Sequence, residues 1–227
     1  MKRFYKAVTI GPDRAILLDG RPIKTPARAP LALPTDALAA AIAAEWDAQG
    51  DEIDPRTLPM TDLAHAAIDR AAPQRDAFFR VLAGYAETDA LCYRADGPPD
   101  LVARQAAAWD PLLAWATARY DVHFAVTAGI VHQPQPPETI ARLQAALAAH
   151  DAFALAAFSP LVTIGGSLVT ALAIEAGEIC ADAAFDATHL DELWQAEQWG
   201  EDWMATDMRA ARRRDFTVAA DFLALSA

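Results

Sequence analysis

Asp186, His189 and Glu192 are spaced i, i+3, i+6, which places three possible metal ligands along one helical stretch. A carboxylate-bridged site would need a second Glu/His pair from another helix. The remaining histidines, His65, His123, His132 and His150, stand in no such pattern. His189 therefore reads as a partly buried helix residue. Cys92 and Cys180 are isolated, and no histidine lies beside either to activate a thiolate. Their spacing predicts neither a disulfide framework nor a zinc site, and it suits a reducing compartment. Ile164-Gly165-Gly166-Ser167 is glycine-rich, but no Gly-Lys-Ser/Thr follows to cradle a phosphate. No set of nucleophile, base and orienting group can be assembled. These residues point to a binder. The alternative is a metal-dependent helical-bundle enzyme using His189 and Glu192.

The stretch holding two of those three candidates organises the rest. Thr188-His189-Leu190-Asp191-Glu192-Leu193-Trp194-Gln195-Ala196-Glu197-Gln198-Trp199-Gly200-Glu201-Asp202-Trp203 contains half of the six tryptophans, several carboxylates and no Lys or Arg. Its pattern predicts one helix over roughly 181–206, with only Gly200 against it. At about 100° per residue, Leu190, Trp194, Glu197 and Glu201 share one face, and Glu192, Trp199 and Trp203 gather opposite. A helix with large aromatics on two sides is either gripped by neighbours on both or offers one side to a partner. Spacing alone favours the first, a core helix gripped on two sides with its carboxylates pointing to water.

A chain of 227 residues can bury a sizeable core as one large or two small domains. At 54% apolar residues, many of them Ala, it is folded and helix-rich. The formal net charge of −12 argues against nucleic acid or an anionic membrane as a partner, because both need basic patches. Met1-Lys2-Arg3 leads into Phe4-Tyr5-Lys6 without an apolar run, so no secretory leader is expected.

The first residues read as β. Lys6–Ile10 and Arg14–Leu18 are short strands, Asp19-Gly20 is a hairpin signal, and prolines make Arg21–Pro26 an edge ribbon. All the lysines (Lys2, Lys6, Lys24) lie here. Helices follow. Pro34-Thr35-Asp36 starts one that runs past Trp46 to Gly50, and Thr61 caps another. Residues 74–95 predict a long helix, as do 100–120, where Pro111 kinks or restarts it. Val122, Phe124 and Val126 alternate like a strand, and helix resumes over 138–149. Residues 152–174 carry no charge. Without flanking Lys/Arg or an aromatic belt they predict a buried helix, bent near Pro160 and closely packed at Gly165 and Gly166, and no membrane insertion. The last helix sets the run Arg212-Arg213-Arg214 opposite Phe216, Ala220 and Leu223.

Four stretches, taken together, resemble the ATP synthase assembly chaperone family that attends the alpha subunit of the catalytic head. They are Leu18-Asp-Gly-Arg-Pro-Ile-Lys-Thr-Pro26; Glu45-Trp46-Asp47; Thr88-Asp-Ala-Leu-Cys-Tyr-Arg94 with Gln105 and Trp109-Asp-Pro-Leu-Leu113; and Asp191-Glu-Leu-Trp-Gln-Ala-Glu-Gln-Trp-Gly200. Their order spans about residues 4–205. The resemblance implies a small α+β N-terminal domain with a β-hairpin, residues 1–65, followed by an all-α orthogonal helical bundle, residues 66–227, mainly α overall. It implies a chaperone without catalysis or cofactor. Its partner would be the free alpha subunit, kept from aggregating until beta subunits replace it. With no targeting leader recognisable at Met1, a bacterial, cytoplasmic protein, monomeric when free, is expected, or a mitochondrial matrix one only if a presequence lies upstream.

The resemblance also nominates partner-binding residues: Glu192, Asp191, Gln195, Trp199, Gly200, Arg21 and Lys24. Leu193 departs from it, standing where many members carry another acid. Glu192 is expected to face the partner with Asp191 beside it, and Gly200 to allow close packing. Glu45 and Trp46 are either a brace for the first helix or part of the contact. Arg21 and Lys24 either face the partner or buttress the hairpin. Glu192→Lys is expected to weaken capture and leave the fold intact.

Overall fold

The computed structural model describes residues 1–129 and 131–227. The protein is mainly α with a small β part: ten α-helices among the described residues, beside a three-stranded sheet and a two-stranded one. It divides into two compact units. The first comprises Met1–Phe78, His150–Ala157 and Asp221–Ala227; the second comprises Phe79–Ala149 and Phe158–Ala220.

In the first unit β1 (Val8–Ile10), β2 (Ile16–Leu18) and β3 (Arg21–Pro22) form an antiparallel sheet, with Val8 opposite Leu18 and Leu18 opposite Arg21. Asp19 and Gly20 both take positive φ, 49° and 78°, the backbone that a two-residue hairpin loop needs to match strand twist. The Asp19 carboxylate accepts from the Ala7 and Lys6 amides at 2.9 and 3.1 Å, which holds its pKa below the usual carboxylate range. Pro22, unable to donate to a ladder, sits in the edge strand.

Helix α1 (Asp36–Asp47) begins as its residues predict, with Thr35 Oγ1 accepting from the Leu38 amide at 3.1 Å. Its end is not Gly50. The buried Gln49 side chain closes it instead, donating to Glu45 O at 3.0 Å and accepting from the Asp54 amide at 2.8 Å. Thr61 does not cap α2 (Pro59–Ala66); it lies inside it. The cap comes from α1: the Glu45 carboxylate accepts from the Met60 amide (2.7 Å), the Thr61 amide (2.9 Å) and the Thr61 hydroxyl (2.7 Å), and Trp46 Nε1 donates to that hydroxyl at 3.2 Å. Glu45 and Trp46 thus brace two helices together. Tyr5, Leu18, Ile53 and Leu58 form the core beside them.

The long helix predicted over 74–95 stops early. Helix α3 spans Arg75–Ala83, and short 3₁₀ turns lead to β4 (Tyr93–Arg94), which pairs in parallel with β5 (Thr127–Ala128). The cause is Asp89, which is fully buried. Its carboxylate accepts from the Leu91 amide at 3.1 Å and the Val169 amide at 2.9 Å, while the Ala90 amide goes to Gly166 O at 2.9 Å. A helix would have claimed those groups. Burial pushes the Asp89 pKa up to about 6.

In the second unit, α4 (Pro99–Tyr120) runs unbroken through Pro111, and α5 (Pro137–Ala148) follows β5. The uncharged stretch is two helices, α6 (Ala152–Gly165) and α7 (Leu168–Glu175). The break falls at Gly166, φ +66°, not at Pro160, and Ser167 Oγ caps α7 by accepting from the Thr170 amide at 2.9 Å. The close approach expected at the glycines holds at Gly165, where a Cβ would stand 3.3 Å from the side chains of Phe216 and Thr188. Among the described residues no helix is long and apolar enough to cross a membrane. Then come α8 (Ala181–Thr188), α9 (Leu190–Trp199) and α10 (Trp203–Ser226).

Candidate functional site

The helix predicted over 181–206 is three pieces, and its breaks shape the site. His189, at φ −108° and ψ 17°, ends α8. Its ring stacks on Phe185 at 3.8 Å between centroids, and Nδ1 lies 3.0 Å from Phe185 O. Burial keeps its pKa below the ordinary histidine value. Gly200 ends α9 with φ 89° and ψ 160°, a conformation that only glycine adopts readily. It is exposed, and a Cβ there would meet nothing within 4 Å. Close packing is therefore not its role; it turns the chain so that α10 can start. Asp202 caps that start, accepting from the Ala205 amide at 3.0 Å.

From residue 143 to 208 the chain has no Lys or Arg. Arg104 of α4 pairs with Glu197, and the rest of the countercharge for α8 and α9 comes from further along. Arg212 Nη2 donates to both Glu192 oxygens at 2.9 and 2.7 Å. Arg209, its side chain 9% exposed, reaches Glu192 at 3.6 Å and Glu201 at 3.3 Å. Arg213 pairs with Asp186 and with Asp182 at 3.3 Å, and lies over the Phe185 ring at 4.5 Å. The arginines of α10 thus stitch it to α8 and α9. This geometry also dissolves the metal alternative. Asp186 is held by Arg213, Glu192 by Arg212, and His189 by its own helix, so the three candidate ligands do not converge.

The nominated residues fall in two places. Asp191, Glu192, Gln195, Trp199 and Gly200 come together on α9 and its terminus. Asp191 is exposed, yet its Oδ1 accepts from the buried Gln105 at 2.7 Å, so part of its work is internal. Glu192 is half-buried beneath its arginines, and Gln195 is exposed. Trp199 is 75% exposed and meets the ring of Trp194 edge-on, with centroids 5.9 Å apart. Trp194 is buried, donating from Nε1 to Asp100 at 3.1 Å. Arg21 and Lys24 are exposed in the first unit, Arg21 on β3 beside a cavity of about 460 Å³ that Phe4 and Ile23 also line.

The largest exposed apolar feature was only half legible. Trp203 (73% exposed), Met204 (56%) and Met208 (62%) stand on the first turns of α10, next to Trp199 in the chain. Met204 and Met208 are one turn apart, a spacing that could have flagged them. Glu197, Glu201, Asp202 and Asp207 are exposed among them. Large apolar side chains held in water, with exposed carboxylates between them in the chain, are suited to gripping another protein.

Comparison with known proteins gives the chain its family. Residues 2–117 match the family described as ATP12 chaperone protein. The chain belongs to the ATP12 chaperone family. The family's role is that of a chaperone in ATP synthase assembly, a non-enzymatic one. The family match ends within α4, before the site. The crystal structure of Atp12 from Paracoccus denitrificans extends the likeness, at 42% identity and TM-score 0.96, covering 100% of this chain and 98% of that one. The Atu1473 protein of Agrobacterium tumefaciens is 41% identical with TM-score 0.93, covering 98% of this chain and 85% of that one. Protein atp12, mitochondrial, of Schizosaccharomyces pombe is 28% identical over 214 residues, 88% of this chain and 74% of its own length.

Proposed function

We propose that this member of the family binds the free alpha subunit of the ATP synthase catalytic head, through the surface where α9 meets α10. The observation that carries the reading is the exposure of Trp199, Trp203, Met204 and Met208 within ten residues that also expose Glu201, Asp202 and Asp207. An alpha subunit without its beta neighbours exposes apolar surface that favours aggregation. Tryptophan and methionine supply contact area and adaptable packing against it. The carboxylates around them disfavour self-association of the chaperone, in keeping with a monomer when free. Mass action then requires weaker binding than that of the beta subunits, so that their arrival releases the client.

On this reading Trp199, Gln195 and the exposed edge of Asp191 touch the client, Gly200 aims the loop, and Glu192 holds α10 in place while lending charge to the rim. Arg21 and Lys24 would form a second contact from the first unit. The likeness to proteins of Paracoccus and Agrobacterium supports a bacterial, cytoplasmic setting. The test is co-expression of the tagged chain with alpha or beta alone, followed by purification. Alpha is expected to co-purify and beta not; recovery of beta alone, or of neither, overturns the proposal.

A further inference from the structure

The first 30 residues carry seven Lys or Arg and two Asp, within a chain whose net charge is −12. Two of those cations are spent: Arg3 pairs with Asp47 at 3.8 Å and Arg14 with Asp36 at 2.8 Å. Lys2, Lys6, Arg21, Lys24 and Arg28 are exposed, and among the described residues none of the five stands in an ion pair. Their charge is free to meet a partner.

One of the five lines a cavity and two stand next to residues that do. The cavity, of about 460 Å³, has buried Tyr5 and Leu18 in its lining together with Phe4, Pro22, Ile23, Asp19 and Arg21. Phe4 is 64% exposed and meets the Tyr5 ring edge-on at 5.4 Å. Lys6 follows Tyr5 in the chain and Lys24 follows Ile23. The Ala7 and Lys6 amides hold the Asp19 pKa down and the charges of Lys6 and Arg21 add to that, so both cations lie near one carboxylate on the cavity. An apolar lining of this size, with free cations beside it, combines a socket for a large side chain with attraction for negative charge.

The same residues narrow the occupant. A small anion is held where several donors converge on one point. Here the Lys6 and Ala7 amides already donate to Asp19, whose own charge opposes a lone anion in the cavity. A long polyanion or an anionic bilayer would extend beyond the patch and meet a chain of net charge −12. A short peptide segment avoids both penalties. We infer that this cavity takes an acidic segment of the client, one large apolar side chain entering between Phe4 and Ile23 and acids on either side of it meeting Lys6 and Arg21. This rests on the reading of Arg21 and Lys24 as a second client contact, and adds to it the chemistry of what they hold.

The test uses the full chain and two fluorescent synthetic peptides with a central phenylalanine, one flanked by aspartates and the other by lysines. The aspartate peptide is expected to bind saturably and the lysine peptide at least about tenfold more weakly. Exchanging the central phenylalanine of the aspartate peptide for serine should also cost at least about tenfold, as should Lys6→Glu combined with Arg21→Glu in the protein. On the unsubstituted protein, amide shift changes in NMR spectra should centre on Leu18, Arg21 and Ile23, a readout that survives failure of the variant to fold. Phosphatidylserine vesicles and a single-stranded oligonucleotide are expected not to compete with the aspartate peptide. Equal binding of the two flanked peptides, indifference to the phenylalanine, unaltered affinity in the folded variant, shift changes centred elsewhere, or competition by vesicles or oligonucleotide would overturn the inference. If the peptides behave as expected but alpha does not co-purify with the wild type, the identity of the client is wrong and the cavity's preference stands. If alpha co-purifies equally with wild type and the folded double variant, the cavity is not a client contact and the reading of the α9–α10 surface stands.

Discussion

Two pairs of tryptophans in the second unit are used in opposite ways. Trp109 and Trp194 are 4% and 8% exposed, and each indole N–H is spent inside: Trp109 donates to Ala187 O at 2.7 Å, Trp194 to Asp100 at 3.1 Å. The Arg94 guanidinium also lies over the Trp109 ring at 5.1 Å. Trp199 and Trp203 stand on either side of Gly200, about three-quarters exposed. The residue type is the same, and Trp194 and Trp199 even share one helix. What separates the pairs is whether the ring's area and its polar handle are both satisfied within the fold. Where they are, tryptophan is scaffold; where neither is, the area is available to a partner.

The largest effect should come from the scaffold pair. Trp109→Ala is expected to lower the free energy of unfolding by about 3–5 kcal/mol, read from urea denaturation. A loss below about 1 kcal/mol would mean that its burial does not stabilise α4 against α8. The exposed pair should behave in reverse. Trp199→Ala combined with Trp203→Ala should leave stability within about 0.5 kcal/mol. Capture of alpha should weaken about 30-fold, near 2 kcal/mol, in a pull-down titration. Unchanged capture would break the comparison.

The smallest effect sharpens the boundary between the two uses. Glu192 was expected to be a surface charge whose reversal spares the fold. With Arg209 and Arg212 against it, Glu192→Lys places three cations together. It should cost about 1 kcal/mol in thermal unfolding, held to that size by partial exposure. Glu192→Gln keeps hydrogen-bond capacity. If it weakens capture as strongly as lysine does while stability stays near wild type, the carboxylate itself meets the client; if it does not, Glu192 acts by holding α10.

Features governed by a few adjacent residues were legible in the sequence: Thr35 as an N-cap, Asp19-Gly20 as a hairpin loop, and the mainly helical class. Glu45 and Trp46 proved to be the brace that was one of their two readings. What periodicity could not show was set by partners far along the chain. Helix ends early at Ala83 because the Asp89 carboxylate is claimed by an amide eighty residues away. Glu192 looked free because its partner, Arg212, lies beyond a turn in the chain. Gly200 was recognised, but its motif match suggested tight packing where the backbone angle is the reason. Of the proposed contact surface, Trp199 was marked by the motif, while Met204 and Met208 carried no signal beyond their spacing.

The arginines of α10 have a consequence for biosynthesis. Arg209, Arg212 and Arg213 neutralise α8 and α9, and the first unit in turn draws on the end of the same helix, where the Thr35 hydroxyl donates to Leu225 O. Neither unit has all its partners until residues 209–225 have been translated. On a ribosome the surface around Trp199 and Trp203 would remain unbraced until those residues have emerged.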